Sequence, residues 1–160
     1  MKRIAIIVSL TASLALHAQR SNPVYEGRLL AETVMNTWKD SFALDGKPAK
    51  WTYDMGVILK GFEGLWLNTG DATYFNYIQQ QADFFVKDDG TIKTYKQEEY
   101  NIDNINNGKI LLLLYRVTLK EKYLKAAKLL REQLRHHPRT NEGGFWHKKV
   151  YPYQMWLDGL

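Results

Sequence analysis

An internal repeat narrows the choice of folds more than anything else in this chain. Asp54-Met55-Gly56 through Leu65-Trp66, Thr69 and Tyr74 match Asp103-Asn104-Ile105 through Leu114-Tyr115, Thr118 and Tyr123 at one constant offset of 49 residues. Each unit reads as two helices. The first, roughly Met55 to Asn68 and Asn104 to Val117, is apolar nearly all round, as in Ile110-Leu111-Leu112-Leu113-Leu114, which marks a helix buried on most sides. The second, Ala72 to Val86 and Glu121 to Arg135, carries a single stripe, defined in the later copy by Tyr123, Ala126, Ala127, Leu130 and Leu134 with Lys and Arg facing away. An inner helix alternates with an outer one. The period is too long for the tetratricopeptide array of about 34 residues.

The punctuation agrees with that reading. Thr69-Gly70-Asp71 offers a glycine stop and an aspartate start, and Lys87-Asp88-Asp89-Gly90 makes a turn. Asp54 and Asp103 stand at the starts of their inner helices, where capping is the ordinary role of an aspartate, and Trp156-Leu157-Asp158-Gly159-Leu160 resembles the opening of a third. A closed ring of such hairpins brings the beginnings of all inner helices to one mouth. The partial positive charge of the helix ends there favours an anionic ligand.

Upstream, Val24 to Trp38 places Leu29, Leu30, Val34 and Trp38 on one helical face, and Asp40 to Lys50 is a polar loop with Gly and Pro. Residues 1–18 read as a secretory signal peptide, with Lys2 and Arg3, an apolar run from Ile4 to Leu16, and a cut after Ala18. The run is too short to span a bilayer comfortably. Export to the periplasm or beyond is therefore expected, with residues 19–160 as the folded part. That part lacks cysteine and keeps 20 basic against 17 acidic residues, a net charge of +3. Disulfides are excluded, zinc-ligand spacing is absent, and so mild a charge argues against nucleic acid.

The last stretch, TNEGGFWHKKVYPYQMWLDGL, packs aromatic clusters around His147 and Asp158. Flat apolar rings with a few placed polar tips suit a sugar. His136 and His137, at a helix end before Pro138, are explained by favourable interaction with the helix terminus.

The strings WTYDMGVILKGFEGLW, EEYNIDNINNGKILLLLY, REQLRHHPRT, GGFWHK and YPYQMWLDGL together resemble the unsaturated rhamnogalacturonyl hydrolases, glycoside hydrolase family 105, from about Trp51 to Leu160. The resemblance implies an all-α fold, an (α/α)6 barrel of helical hairpins, of which this chain is the N-terminal part with about five helices. It implies no metal and no cofactor. The implied substrate is an unsaturated acidic oligosaccharide, a galacturonyl-rhamnose product of pectin (rhamnogalacturonan) breakdown. The implied chemistry is hydration of its C4=C5 double bond rather than a two-carboxylate displacement. The general acid/base of the family matches Asp158. Asp103, His147, Trp156 and Tyr53 match substrate-binding positions. A helix start would by itself lower the pKa of Asp158, so burial or a neighbouring carboxylate such as Asp103 is needed to offset it.

Six hairpins of this size need on the order of 300 residues, so the sequence reads as the first part of a longer enzyme, with inner-helix apolar surface left exposed. Two other readings stand beside it. One is an unsaturated glucuronyl hydrolase of family 88 acting on glycosaminoglycan fragments, and the other is a non-catalytic helical-repeat binding protein. No membrane span is expected, and the oligomeric state is left open.

Overall fold

The structure, a computed structural model, describes residues 22–43 and 46–157. The leader expected over residues 1–18 lies outside the described residues. The described residues form five α-helices in order: α1 (Pro23–Thr37), α2 (Tyr53–Thr69), α3 (Ala72–Phe85), α4 (Gly108–Thr118) and α5 (Glu121–His136). Two short 3₁₀ turns, Gln97–Glu99 and Ile102–Ile105, precede α4. Among the described residues no helix is long and apolar enough to cross a membrane.

The repeat predicts two hairpins, and they form as α2–α3 and α4–α5. The inner helices bury Met55, Leu59 and Phe62 on α2 and Ile110, Leu111, Leu113 and Leu114 on α4. Each outer helix buries a stripe, centred on Ile78 and Phe85 in α3 and on Tyr123 and Leu130 in α5. One apolar core runs through both hairpins and reaches Ala31 of α1. The face that α1 turns inward is Ala31, Val34, Met35 and Trp38, whereas Leu29 and Leu30, expected beside Val34, are exposed. Apolar spacing of four fits either side of the Val34–Trp38 row. Gly27, one turn before Ala31, lets α1 approach α2 on that side, since a Cβ there would come within 3.0 Å of the Leu65 side chain.

The α2–α3 joint closes as its sequence dictates. Gly70 adopts the left-handed conformation that ends α2, donating its N–H to the Trp66 carbonyl, and the Asp71 carboxylate accepts from the Thr73 N–H to start α3. The two inner helices meet at their N-termini. The Asn107 amide donates to the Thr52 carbonyl at 2.8 Å and that of Asn106 to the Tyr53 carbonyl at 3.4 Å, across the first turn of α2. A Cβ on Gly56 would lie 2.2 Å from the Asn107 side-chain oxygen, so glycine is required for this approach.

Because Asn101 to Asn107 form this junction, α4 starts at Gly108, later than the helix expected from Asn104. Trp51 locks the arrangement from behind. Its backbone N–H donates to the Thr94 hydroxyl at 2.8 Å, its indole N–H to the Asn104 carbonyl at 3.0 Å, and its ring meets Phe85 edge-on.

Candidate functional site

Asp103 sits in the 3₁₀ turn before α4, and its surroundings explain why it is there. The cap is Asn101, whose side-chain oxygen accepts the Asp103 N–H at 3.1 Å. Asp54 is no cap either, since Thr52 holds that position for α2. The Asp103 carboxylate is thus released from the capping role and points elsewhere. The buried Gln133 of α5 donates to the Asn101 carbonyl and accepts from the Tyr95 hydroxyl, which pins the turn to the outer helix.

The segment after α5 folds back onto that turn. The His147 carbonyl accepts the Ile102 N–H at 3.0 Å, and the Lys149 N–H donates to the Glu99 carbonyl at 3.1 Å. These bonds carry three side chains to one place. The Lys148 ammonium lies 2.8 Å from the Asp103 carboxylate, and His147 Nε2 lies 3.7 Å from the same oxygen. That second distance is too long for a hydrogen bond. Both His147 nitrogens are buried without a hydrogen-bond partner in the structure. Trp156 stacks face to face on His147, with centroids 3.8 Å apart and planes 6° from parallel, and Tyr151 continues the stack.

Tyr53, at the start of α2, and Asp103 line the upper end of a cavity of about 960 Å³ that continues down α4 and α5. The structure therefore brings together Asp103, His147 and Trp156 as a cluster, with Tyr53 on the cavity wall shared with Asp103. His147 and Trp156 do not line that cavity; they stand behind Asp103. Asp158, the expected acid/base, lies outside the described residues.

Lys148 is the member that the sequence reading passed over. Its signal was adjacency, as a lysine directly after the histidine of the GGFWHK string. Its ammonium lies against the carboxylate that was expected to act on Asp158, which itself is outside the described residues.

His137 differs from the helix-terminus role expected of it. It is buried, edge-on between Tyr100 and Phe145, and its Nε2 lies 2.7 Å from the Trp146 carbonyl. A carbonyl accepts, so Nε2 carries the proton and Nδ1 can accept from Gln133. Burial holds this imidazole below its ordinary pKa, against the bond to Trp146 and with the help of the Arg139 charge. It fixes the loop that presents His147. His136, by contrast, stays at the surface beside Glu132 at 3.0 Å.

Residues 28–160 match the model of Glycosyl Hydrolase Family 88. Among solved structures, a glycoside hydrolase from family 105 of C. acetobutylicum ATCC 824 superposes with a TM-score of 0.75 at 45% sequence identity. The match covers 83% of this chain and 35% of that one. The chain thus spans about a third of the length of that relative. The helical hairpins described above agree with part of a helical barrel of this fold.

Proposed function

The chain belongs to glycosyl hydrolase family 88, and from that premise we propose that it acts in the hydrolysis of unsaturated galacturonyl-rhamnose oligosaccharides derived from rhamnogalacturonan. The observation that carries the reading is the cluster at the head of α4, where an aspartate shares one oxygen between a lysine and a buried histidine with unpartnered nitrogens. An acidic sugar offers what this cluster lacks. Its carboxylate can draw the Lys148 ammonium away from Asp103, its hydroxyls can satisfy the freed Asp103 oxygen at the end of the cavity, and its ring can lie against aromatic faces.

In this reading the Asp158 carboxyl group gives its proton to C4 of the double bond, leaving an oxocarbenium cation at C5. Water adds to C5 and returns a proton to the carboxylate. The resulting hemiketal opens, and the hemiacetal it leaves at C1 collapses to an aldehyde, releasing the rest of the saccharide. Asp103 is then a binding residue held by its ion pair with Lys148. Export, directed by residues 1–18, belongs to the same proposal, and the mass of the mature chain tests the cut after Ala18.

The deciding assay follows loss of the ultraviolet absorbance of the conjugated double bond in an unsaturated galacturonyl-rhamnose disaccharide. Turnover by the parent chain that falls by about 10²-fold or more in Asp158→Asn supports the assignment. A soluble, folded chain without turnover overturns it for this chain. An unsaturated glucuronyl disaccharide run in parallel separates the two substrate classes, because faster loss of its absorbance would favour glycosaminoglycan fragments.

A further inference from the structure

Both halves of the Asp103–Lys148 pair are tied to one buried side chain, Gln133 of α5. Its amide oxygen accepts the Tyr95 hydroxyl at 2.8 Å, and its nitrogen donates to the Asn101 carbonyl at 3.0 Å and to His137 Nδ1 at 3.3 Å. From Asn101 the path is short, because the same residue caps the Asp103 N–H. From His137 it runs through Nε2 to the Trp146 carbonyl at 2.7 Å, next to His147 and Lys148 in the chain. One glutamine thus holds the turn that carries the carboxylate and, through a histidine, the loop that carries the ammonium. This amide fits one orientation while His137 is neutral. A proton on Nδ1 sets an N–H against an N–H. Turning the amide over gives Nδ1–H an acceptor, but the Asn101 carbonyl then faces an oxygen and loses its donor.

We propose that Gln133 and His137 form a proton-sensitive clasp on the candidate site. With His137 neutral, the amide keeps the Asp103 turn and the His147–Lys148 loop together; protonation of His137 releases the Asn101 carbonyl and opens the Asp103–Lys148 pair. Both are positioning residues, acting through Asn101 and Trp146. The groups around the imidazole favour its neutral form. Tyr100, on the loop before α4, and Phe145, on the loop after α5, meet it edge-on, and Lys149 lies 6.0 Å from the Tyr100 ring. Arg139 adds a repelling charge, and Tyr95 reaches it only through Gln133. On α5 the Glu132 carboxylate is taken by His136 and Arg135. Burial holds His137 below its ordinary pKa, so the clasp is shut at neutral pH and opens on the acid side of 6.5. It belongs to the free chain, so its test needs no turnover and its failure leaves the proposed reaction standing.

The test is an NMR titration of the isotope-labelled chain from neutral to mildly acid pH. It follows the His137 and His147 ring nitrogens, the Asp103 carboxyl carbon and the Asp103 backbone amide. The expected result is that both Asp103 signals move with the midpoint of His137 while helical ellipticity is unchanged. In His137→Gln that movement should vanish. Gln133→Glu is the second variant, should the first fail to fold. Its carboxylate faces Nδ1 and should tighten proton binding by His137 about tenfold or more, while Asp103 shows its acid-side signals at every pH because Asn101 has lost its donor. Asp103 signals that stay still as His137 titrates overturn the proposal. A transition that survives in His137→Gln and tracks the His147 ring overturns it in favour of direct titration beside Asp103. In Gln133→Glu, an Asp103 transition kept at the parent midpoint overturns it as well. Loss of ellipticity at or before the His137 midpoint overturns it in favour of general acid unfolding.

Discussion

The two hairpins bend through the same joint with different residues. In the first, Thr69-Gly70-Asp71 turns with Gly70 at φ 69°; in the second, Thr118-Leu119-Lys120 turns with Leu119 at φ 56°. The threonines behave alike, each donating its hydroxyl to the carbonyl four residues back at 2.7 Å and accepting the N–H two residues on. The neighbours do not. Glycine tolerates the left-handed conformation and aspartate caps the next helix, whereas leucine is strained there and Lys120 makes no side-chain cap bond. The first joint is written in its own residues. The second is imposed by the packing of α4 against α5, so one backbone shape arises from two sources.

The comparison can be broken most severely at the packed faces. Phe85→Ala should cost about 3–5 kcal/mol in urea unfolding, because it empties a site with no exposure. Leu134→Ala, at the matching position one repeat later and half-buried on the cavity wall between α4 and α5, should cost about 1 kcal/mol or less. Similar losses at both positions would mean that this wall is as well covered as the core around Phe85. At the joints the expected effects are smaller and opposite in sign. Gly70→Leu should destabilise by about 1 kcal/mol, and Leu119→Gly should stabilise by several tenths up to about 1 kcal/mol, since the exposed leucine side chain gives up little burial. Lys120→Asp should add roughly 1 kcal/mol by supplying the missing cap. Failure of Leu119→Gly to raise the melting temperature would show that the leucine is held by more than packing around the turn.

The smallest expected effect concerns pH. His137 has a folded pKa below its ordinary 6.5, so the unfolded chain binds its proton more readily. Its contribution to stability is complete above about 6.5 and is lost as pH falls through that value towards the folded pKa. His137→Gln should therefore flatten the decline in melting temperature between neutral and mildly acid buffer, while lowering the neutral value.

Much of the architecture was legible in the sequence because burial repeats with it. Ile110 to Leu114 mark an inner helix, and the stripe from Tyr123 to Leu134 marks an outer one. What could not be read depended on partners far along the chain. The start of α4 moved to Gly108 because Asn106 and Asn107 reach back about 50 residues to α2. Leu119 gave no local sign of a left-handed turn, and the exposed Leu29 and Leu30 have the same spacing as residues that are buried. At the candidate site, the motif strings named Asp103, His147 and Trp156, which do converge. The pairing of Lys148 with Asp103 was hidden, because a lysine in a basic run looks solvated until a loop folds back upon it.

The double attachment of Trp51 bears on how the molecule comes apart. Hairpins stacked in a row can melt one after another from an end. Trp51 precedes the first hairpin, yet it is bonded to the loop leading into the second and to the turn that starts it. Loosening either hairpin breaks its anchorage and exposes an indole that is 2% accessible. Heating should therefore produce one calorimetric transition across both units, and Trp51 emission should shift together with the loss of helical ellipticity rather than before or after it.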